Sequence, residues 1–330
     1  MQLVLNTHGL ILKVKQHVFY VAAGDEQRLI SPEQINSIAV TAPCMISSAA
    51  IALAADANIP IYFYDRIGEA QSCLRSPYFE SLATLRRKQV YFSDSPEGAT
   101  WILEQFRLKT QHQVQVLKYL ANRKRKQATA IKSTITKLEA RLGELPHTEE
   151  PPSKPWNASL MGWEGTQARL YWQTIASCLE APWHFSGRSR RPAKDPFNAM
   201  VNYLYGMLYS ITEQALFAAG LDPHLGILHS DEYDRPTLSY DLIEPFRPWV
   251  DRLILENIIQ DEIESEFFET QSGGIYLADN GKRFLIPAFN GWMQQSIRWQ
   301  SRQQSREAHI YRSAAQLAKS IDTTQQRPKS

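Results

Sequence analysis

Four side chains stand out for their type and spacing: Glu164 in MGWEGTQARLYW, His229 in LDPHLGILHSDEYDR, and Asp241 with Glu244 in LSYDLIEPFRP. Together they suit phosphodiester chemistry. Cleaving or joining that bond brings a nucleophile to a phosphorus centre wrapped in negative charge. A divalent cation neutralises the phosphate, polarises the bond and activates the nucleophile. Carboxylate oxygens suit Mg²⁺ and Mn²⁺, and an added imidazole tilts the preference towards the softer Mn²⁺. Two carboxylates and one histidine would leave coordination positions open for water and phosphate. Asp241 and Glu244 are three residues apart and share a face if that turn is helical. Pro245 suits the first position of a helix that begins there.

Each of these signals is generic alone. Acid pairs three apart occur on any charged helix, and a glutamate such as Glu164 is favoured in a first turn by the helix dipole. A histidine is more often structural than a ligand, and His224 competes with His229 for the role, since spacing does not separate them. Other chemistries find no motif. The sequence has no His-Glu-x-x-His helix, no phosphate-cradling Gly-rich loop ending in Lys-Ser/Thr and no Gly-x-Ser-x-Gly elbow.

Charge is balanced overall, at +2, but unevenly placed. From Gln105 to Leu138 there are nine Lys or Arg and no acid, whereas His229 to Glu269 holds twelve acids against Arg235, Arg247 and Arg252. A basic stretch suits a polyanionic partner, and an acidic one suits a cation that meets the same partner; solvated helix faces would look the same. Cys44, Cys73 and Cys178 are odd in number and far apart, which speaks against a disulfide framework or thiolate zinc site. They read as buried thiols in a reducing cytoplasm. The first residues, MQLVLNTHG, carry no basic segment leading into an apolar run, so no secretory signal is expected. Apolar stretches such as Ala49–Ala55 are too short to span a bilayer, so no membrane association is expected.

Positioning these residues falls to two kinds of region. The first eighty residues read as β-rich, with strands expected at Leu10–Val14, Val18–Ala22, Ile35–Thr41 and Ile59–Tyr64. One helix interrupts them, over Ala49–Ala57, capped by Ser47 or Ser48 and ended by Asn58. Asp65–Glu69 reads as a turn between strands. Beyond Pro77 the chain is rich in Gln, Lys, Arg, Ala and Leu, all good helix formers. Helices are expected at Ala168–Leu179, Asn198–Ala219 and Trp249–Phe268, with a Pro-rich linker at Glu144–Trp156 and a loose tail from Lys319. The expected fold is therefore α+β: a small N-terminal β-rich domain over residues 1–80, then a larger all-α domain over 81–318 and a tail over 319–330.

The order of segments resembles the CRISPR-associated endonuclease and integrase of spacer acquisition, the Cas one family. ISSAAIALAADANIPIYFYDRIGE is similar to its helix-then-strand segment, and LRRKQVYF, with Arg86 and Arg87, to its basic junction. MGWEGTQARLYW looks like the segment of its metal-binding glutamate, and NAMVNYLYGMLYS, from Asn198, like its Asn-rich helix start. AAGLDPHLGILH followed by LSYDLIEPFRP is the strongest likeness. The resemblance implies that Glu164, His229 and Glu244 are Mg²⁺ or Mn²⁺ ligands, that Asp241 is a supporting acid, and that His224 lies outside the metal shell. It implies a β-domain homodimer assembling on a small ferredoxin-like partner, Cas two. The implied reaction is metal-dependent strand transfer of double-stranded prespacer DNA into CRISPR repeat DNA, with nuclease activity at the same site. Lys124, Arg125 and Lys126 in the basic stretch, with Arg86, Arg87, Arg188, Arg190 and Arg191, would then be phosphate contacts. Competing readings are a metal-dependent structure-specific nuclease and a noncatalytic DNA-binding scaffold of the adaptation complex. The Pro-rich segment is the least family-like part.

Overall fold

The computed structural model describes residues 2–24, 26–64, 70–74, 83–145, 154–190, 192–229 and 235–324. The expected turn at Asp65–Glu69 and most of the Pro-rich linker lie outside these residues. The architecture is a β-rich N-terminal region followed by a mostly helical C-terminal region. Two compact units form. One gathers Met1–Phe79, Ser189–Ser210 and Asp261–Arg306; the other gathers Glu80–Arg188, Ile211–Gln260 and Glu307–Ser330.

The N-terminal region runs β1 (Gln2–Leu5), β2 (Ile11–Lys15), β3 (Val18–Ala23), β4 (Glu26–Ile30), β5 (Ser37–Val40), β6 (Met45–Ile46), α1 (Ser48–Asp56), β7 (Ile61–Tyr64) and β8 (Ala70–Leu74). Two four-stranded sheets result, ordered β1-β5-β7-β8 and β4-β3-β2-β6. In the first, β1, β5 and β7 are parallel and β8 is antiparallel. Leu5, Leu12, Phe19, Ile38 and Ile61 from both sheets join Ala50 and Ala54 of α1 in one apolar core. Ser47 caps α1 as expected, its hydroxyl accepting from the Ala50 N–H at 3.2 Å, and Asn58 is left-handed just past the end. Exposed β4 gave no apolar alternation to read.

The remainder is built on α2 (Ala83–Ser93), α3 (Pro96–Arg123), α4 (Ala128–Arg141), α5 (Lys154–Cys178), α6 (Pro196–Ala218), α7 (Thr237–Leu242) and α8 (Arg247–Ile259). Hairpin β9–β10 (Phe268–Gln271, Gly274–Leu277), α9 (Asp279–Gln294), hairpin β11–β12 (Ser296–Trp299, Arg302–Ser305) and α10 (Arg306–Thr323) complete it. Four expectations need correction. Helix α5 begins at Lys154, inside the expected linker, because a proline costs little in a first turn, where its missing N–H is not needed. The helix expected to reach Phe268 stops at Ile259, since Asp261 turns left-handed and the chain enters β9. Helix α10 continues through Lys319 to Thr323; residues 325–330 lie outside those described. Cys178 is buried, but Cys44 and Cys73 are only half-buried, Cys73 lying on edge strand β8.

Candidate active site

The four chemical candidates all fall in the second unit. Helix α3 is its axis. Ile102, Phe106, Lys109, Gln113, Leu117 and Leu120 follow helical spacing and are all buried. A lysine therefore sits on the inward face of a basic stretch. Helix α5 presents Glu164 beside buried Trp163. The Trp163 indole donates to the Arg141 carbonyl at 2.9 Å and meets Phe106 of α3 edge-on at 6.3 Å. Tyr171, two turns on, donates to buried Asp251 of α8 at 2.9 Å. These contacts fix the rotation of α5, and with it the direction of Glu164.

Glu244 opens a 3₁₀ turn, Glu244–Phe246, between α7 and α8. Pro245 lies within that turn, where an absent N–H is tolerated. The Pro245 carbonyl accepts from His112 Nδ1 of α3 at 2.6 Å. Burial pushes the His112 imidazole down to about 4, so it is neutral and holds the turn as a donor.

The two glutamates meet at one cation. Lys109 Nζ stands 2.5 Å from Glu164 Oε1 and 2.5 Å from Glu244 Oε2. Arg247 Nε lies 2.9 Å from the other Glu244 oxygen. Glu244 Oε2 has this ionic neighbour but no well-directed hydrogen bond. Burial works against ionised Glu244, yet Arg247 and Lys109 outweigh it and hold the carboxyl well below the usual range. Burial also opposes the Lys109 ammonium, and Glu244 and Glu164 reverse that effect.

His229 is carried by the loop after α6. Asp241, at 0% side-chain exposure, organises that loop. Its Oδ2 accepts from the N–H groups of Ile227 (2.7 Å) and Leu228 (3.1 Å), and its Oδ1 from His229 Nδ1 at 2.6 Å. With the carboxylate as acceptor, Nδ1 carries the proton and Nε2 keeps its lone pair. Burial alone would lower the His229 pKa; the Asp241 hydrogen bond and the charges of Asp241 and Glu244 raise it above its ordinary value. Gly226 allows the loop to close, since a Cβ there would stand 2.5 Å from the His229 carbonyl oxygen and 2.8 Å from the Thr237 side chain.

The structure thus brings Glu164 and Glu244 together and hangs His229 on Asp241 within electrostatic reach of Glu244. Exposure grades across the set, from Asp241 at 0% and Glu244 at 9% to Glu164 at 23% and His229 at 31%. The solvent side is therefore where Glu164 and His229 lie. His224 stands apart on Asp222, at 3.3 Å. Among the described residues no three of His, Cys, Asp and Glu form a ready metal-holding group. The donor chemistry nevertheless fits a divalent ion: two carboxylate oxygens already converge on one positive charge, and an anchored imidazole is nearby.

Of the basic residues, Arg125 and Lys126 lie exposed on a 3₁₀ turn after α3, and Lys124 ends α3 half-buried. Arg86 and Arg87 are exposed on α2, with Arg86 4.0 Å from Asp222. Arg188 lies over the Trp172 ring at 5.3 Å; Arg190 is exposed, and Arg191 is outside the described residues. Lys109, within the basic stretch read as suiting a polyanionic partner, faces inward instead. Sequence reasoning missed Lys109, Arg247 and His112 as site residues. The available signal for Lys109 was its phase on the apolar stripe of α3.

The family model described as CRISPR associated protein Cas1 matches residues 3–291, and the chain belongs to that family. A CRISPR-associated endonuclease Cas1 of Archaeoglobus fulgidus is 30% identical over 298 residues, covering 87% of this chain and 86% of that protein. A casposase bound to an integration product shares the fold, with a TM-score of 0.82 at 23% identity, over 99% of this chain and 92% of that one. A chain of a Cas6-RT-Cas1–Cas2 complex does so too, with a TM-score of 0.80 at 24% identity, over 98% of this chain and 35% of that one. No helix among the described residues is long and apolar enough to cross a membrane.

Proposed function

We propose that this chain is a metal-dependent integrase of CRISPR adaptation, which joins a prespacer 3′-hydroxyl to the repeat backbone and also cuts DNA at the same site. The observation that carries this reading is the convergence of Glu164 and Glu244 on a single positive charge, beside a histidine oriented by a buried aspartate. In strand transfer the 3′-oxygen forms a bond to phosphorus while the repeat strand's own P–O bond breaks. The departing 3′-oxygen takes up a proton, and the number of phosphodiesters is unchanged.

Glu164, Glu244 and His229 Nε2 would hold Mg²⁺ or Mn²⁺, with Asp241 fixing the ring that supplies the nitrogen. A bound ion would supply charge neutralisation at the phosphate and activation of the attacking hydroxyl. Arg247 keeps Glu244 ionised. The exposed Arg125 and Lys126, with Lys124, Arg86, Arg87, Arg188 and Arg190, would position the DNA backbone without reading sequence. By extension from the Cas6-RT-Cas1–Cas2 neighbour, a partner would be a Cas2 protein; a second copy of this chain, paired through the β-rich region, is the partner that the family resemblance implies.

The test is integration of a labelled 3′-hydroxyl duplex into repeat-bearing DNA, with branched product resolved from nicked product. Joined product is expected with Mn²⁺ or Mg²⁺ and none with excess chelator. Nicks without any joined product would favour the plain nuclease, and joining in chelator would overturn the metal mechanism.

A further inference from the structure

Both proposed carboxylate ligands already share a cation, and it belongs to the protein. Lysine is rarely buried unless paired, yet Lys109 sits on the inward stripe of α3 with 11% of its side chain exposed. Glu164 Oε1 and Glu244 Oε2 are at most 5.0 Å apart, because each stands 2.5 Å from the same nitrogen. Without a positive charge between them, these partly desolvated carboxylates would repel each other. A divalent ion needs oxygens at roughly 2.0–2.2 Å, so its position between these two oxygens and that of the ammonium overlap.

We propose that Lys109 is the resident counter-cation of the active site: it holds the Glu164–Glu244 pair together in the metal-free protein and yields its position when a divalent ion binds. This rests on the metal-ligand reading given above. The four-carbon stem of lysine is flexible enough for such a withdrawal. The Phe106 ring, 5.5 Å from Nζ, gives the ammonium a favourable neighbour on its own helix. Arg247 engages the opposite oxygen of Glu244, so Glu244 stays paired when Lys109 moves. Metal affinity is then set by competition with a built-in cation, and the site remains assembled in its absence.

The experiment compares wild type with Lys109→Met, measuring Mn²⁺ binding by electron paramagnetic resonance and thermal unfolding in chelator and in Mn²⁺. In Lys109→Met, Mn²⁺ should bind at least about fivefold more tightly. Unfolding in chelator should occur at a lower temperature, and Mn²⁺ should raise it by more than in wild type. Lys109→Arg, which keeps the charge, should show no such tightening. Equal or weaker Mn²⁺ binding in Lys109→Met, with an unchanged thermal shift, would overturn the counter-cation role. If Lys109→Met fails to fold in both buffers, Lys109→Gln carries the same comparison. A Glu164→Gln/Glu244→Gln double variant separates the two levels. Mn²⁺ binding that survives in it, or is absent from wild type, overturns the ligand assignment and the inference together. Binding lost in the double variant but untouched by Lys109 substitution overturns the inference alone.

Discussion

Replacing Asp241 by Asn tests how the histidine is presented. The change keeps volume and shape but exchanges one acceptor oxygen for an NH₂ donor. Oδ2 now accepts from Ile227 N–H at 2.7 Å and Leu228 N–H at 3.1 Å, and Oδ1 from His229 Nδ1 at 2.6 Å and, at a long 3.4 Å, from the His229 N–H. If the amide oxygen stays on the two backbone groups, the NH₂ faces His229 Nδ1. The ring must then accept at Nδ1 and move its proton to Nε2, which removes the lone pair a metal needs. If the amide flips, two buried N–H groups face a donor instead. The first arrangement costs less, because it keeps the 2.7 Å and 3.1 Å backbone bonds and gives up only the charge-assisted His229 Nδ1 contact and the long 3.4 Å bond from the His229 N–H. The expected stability loss is about 2 kcal/mol, from weakened charge-assisted hydrogen bonds. Mn²⁺ affinity should fall on the order of 10- to 100-fold, the usual cost of losing the group that orients a ligating histidine. Chemical denaturation, a Mn²⁺ titration and ¹⁵N imidazole shifts read stability, affinity and tautomer separately. Wild-type Mn²⁺ affinity with a switched tautomer would refute the reasoning, because His229 could not then be ligating through Nε2.

Other expectations follow from the same geometry. Alanine at Glu164, His229 or Glu244 should lower strand transfer by orders of magnitude with little change in DNA affinity, while His224→Ala, on its separate Asp222 contact, should match wild type in the integration assay. The raised His229 pKa has two consequences of opposite sign. In the metal-free protein its stabilisation is fully present below the unfolded value of about 6.5 and is lost as pH rises through the folded value. Mn²⁺ affinity instead falls as pH drops, beginning above about 6.5, and His229→Gln should flatten both curves in denaturation and titration series. Lys124→Ala/Arg125→Ala/Lys126→Ala should weaken DNA binding and reduce its salt slope by up to about 3, as fewer counterions are released; an unchanged slope would return the turn to an ordinary solvated face. Gly226→Ala should destabilise the protein by roughly 1–3 kcal/mol and displace His229, because the added methyl has no room beneath the loop; denaturation and Mn²⁺ affinity would report both.

Period and caps made much of the local structure legible. The N-terminal strands and α1 were readable because β-branched stretches, a serine cap and a terminal asparagine coincide within a few residues. The order of segments was enough to single out Glu164, His229, Asp241 and Glu244, since residue types in sequence carry that likeness without coordinates. Contacts between distant segments were not readable. Nothing local says that Lys109 and Glu164, fifty-five positions apart, share an ion pair, or that His112 of α3 holds the Pro245 carbonyl. Residues 189–210 and 261–306 group with the first seventy-nine, although residues 80–188 and 211–260, which come between them in the chain, belong to the other unit. Helical periodicity records which residue faces inward, and Lys109 was marked by its phase on α3. It does not record which side chain lies across the gap, because that depends on how separate elements pack. The meeting of two glutamates on one lysine was therefore decided by the tertiary structure alone.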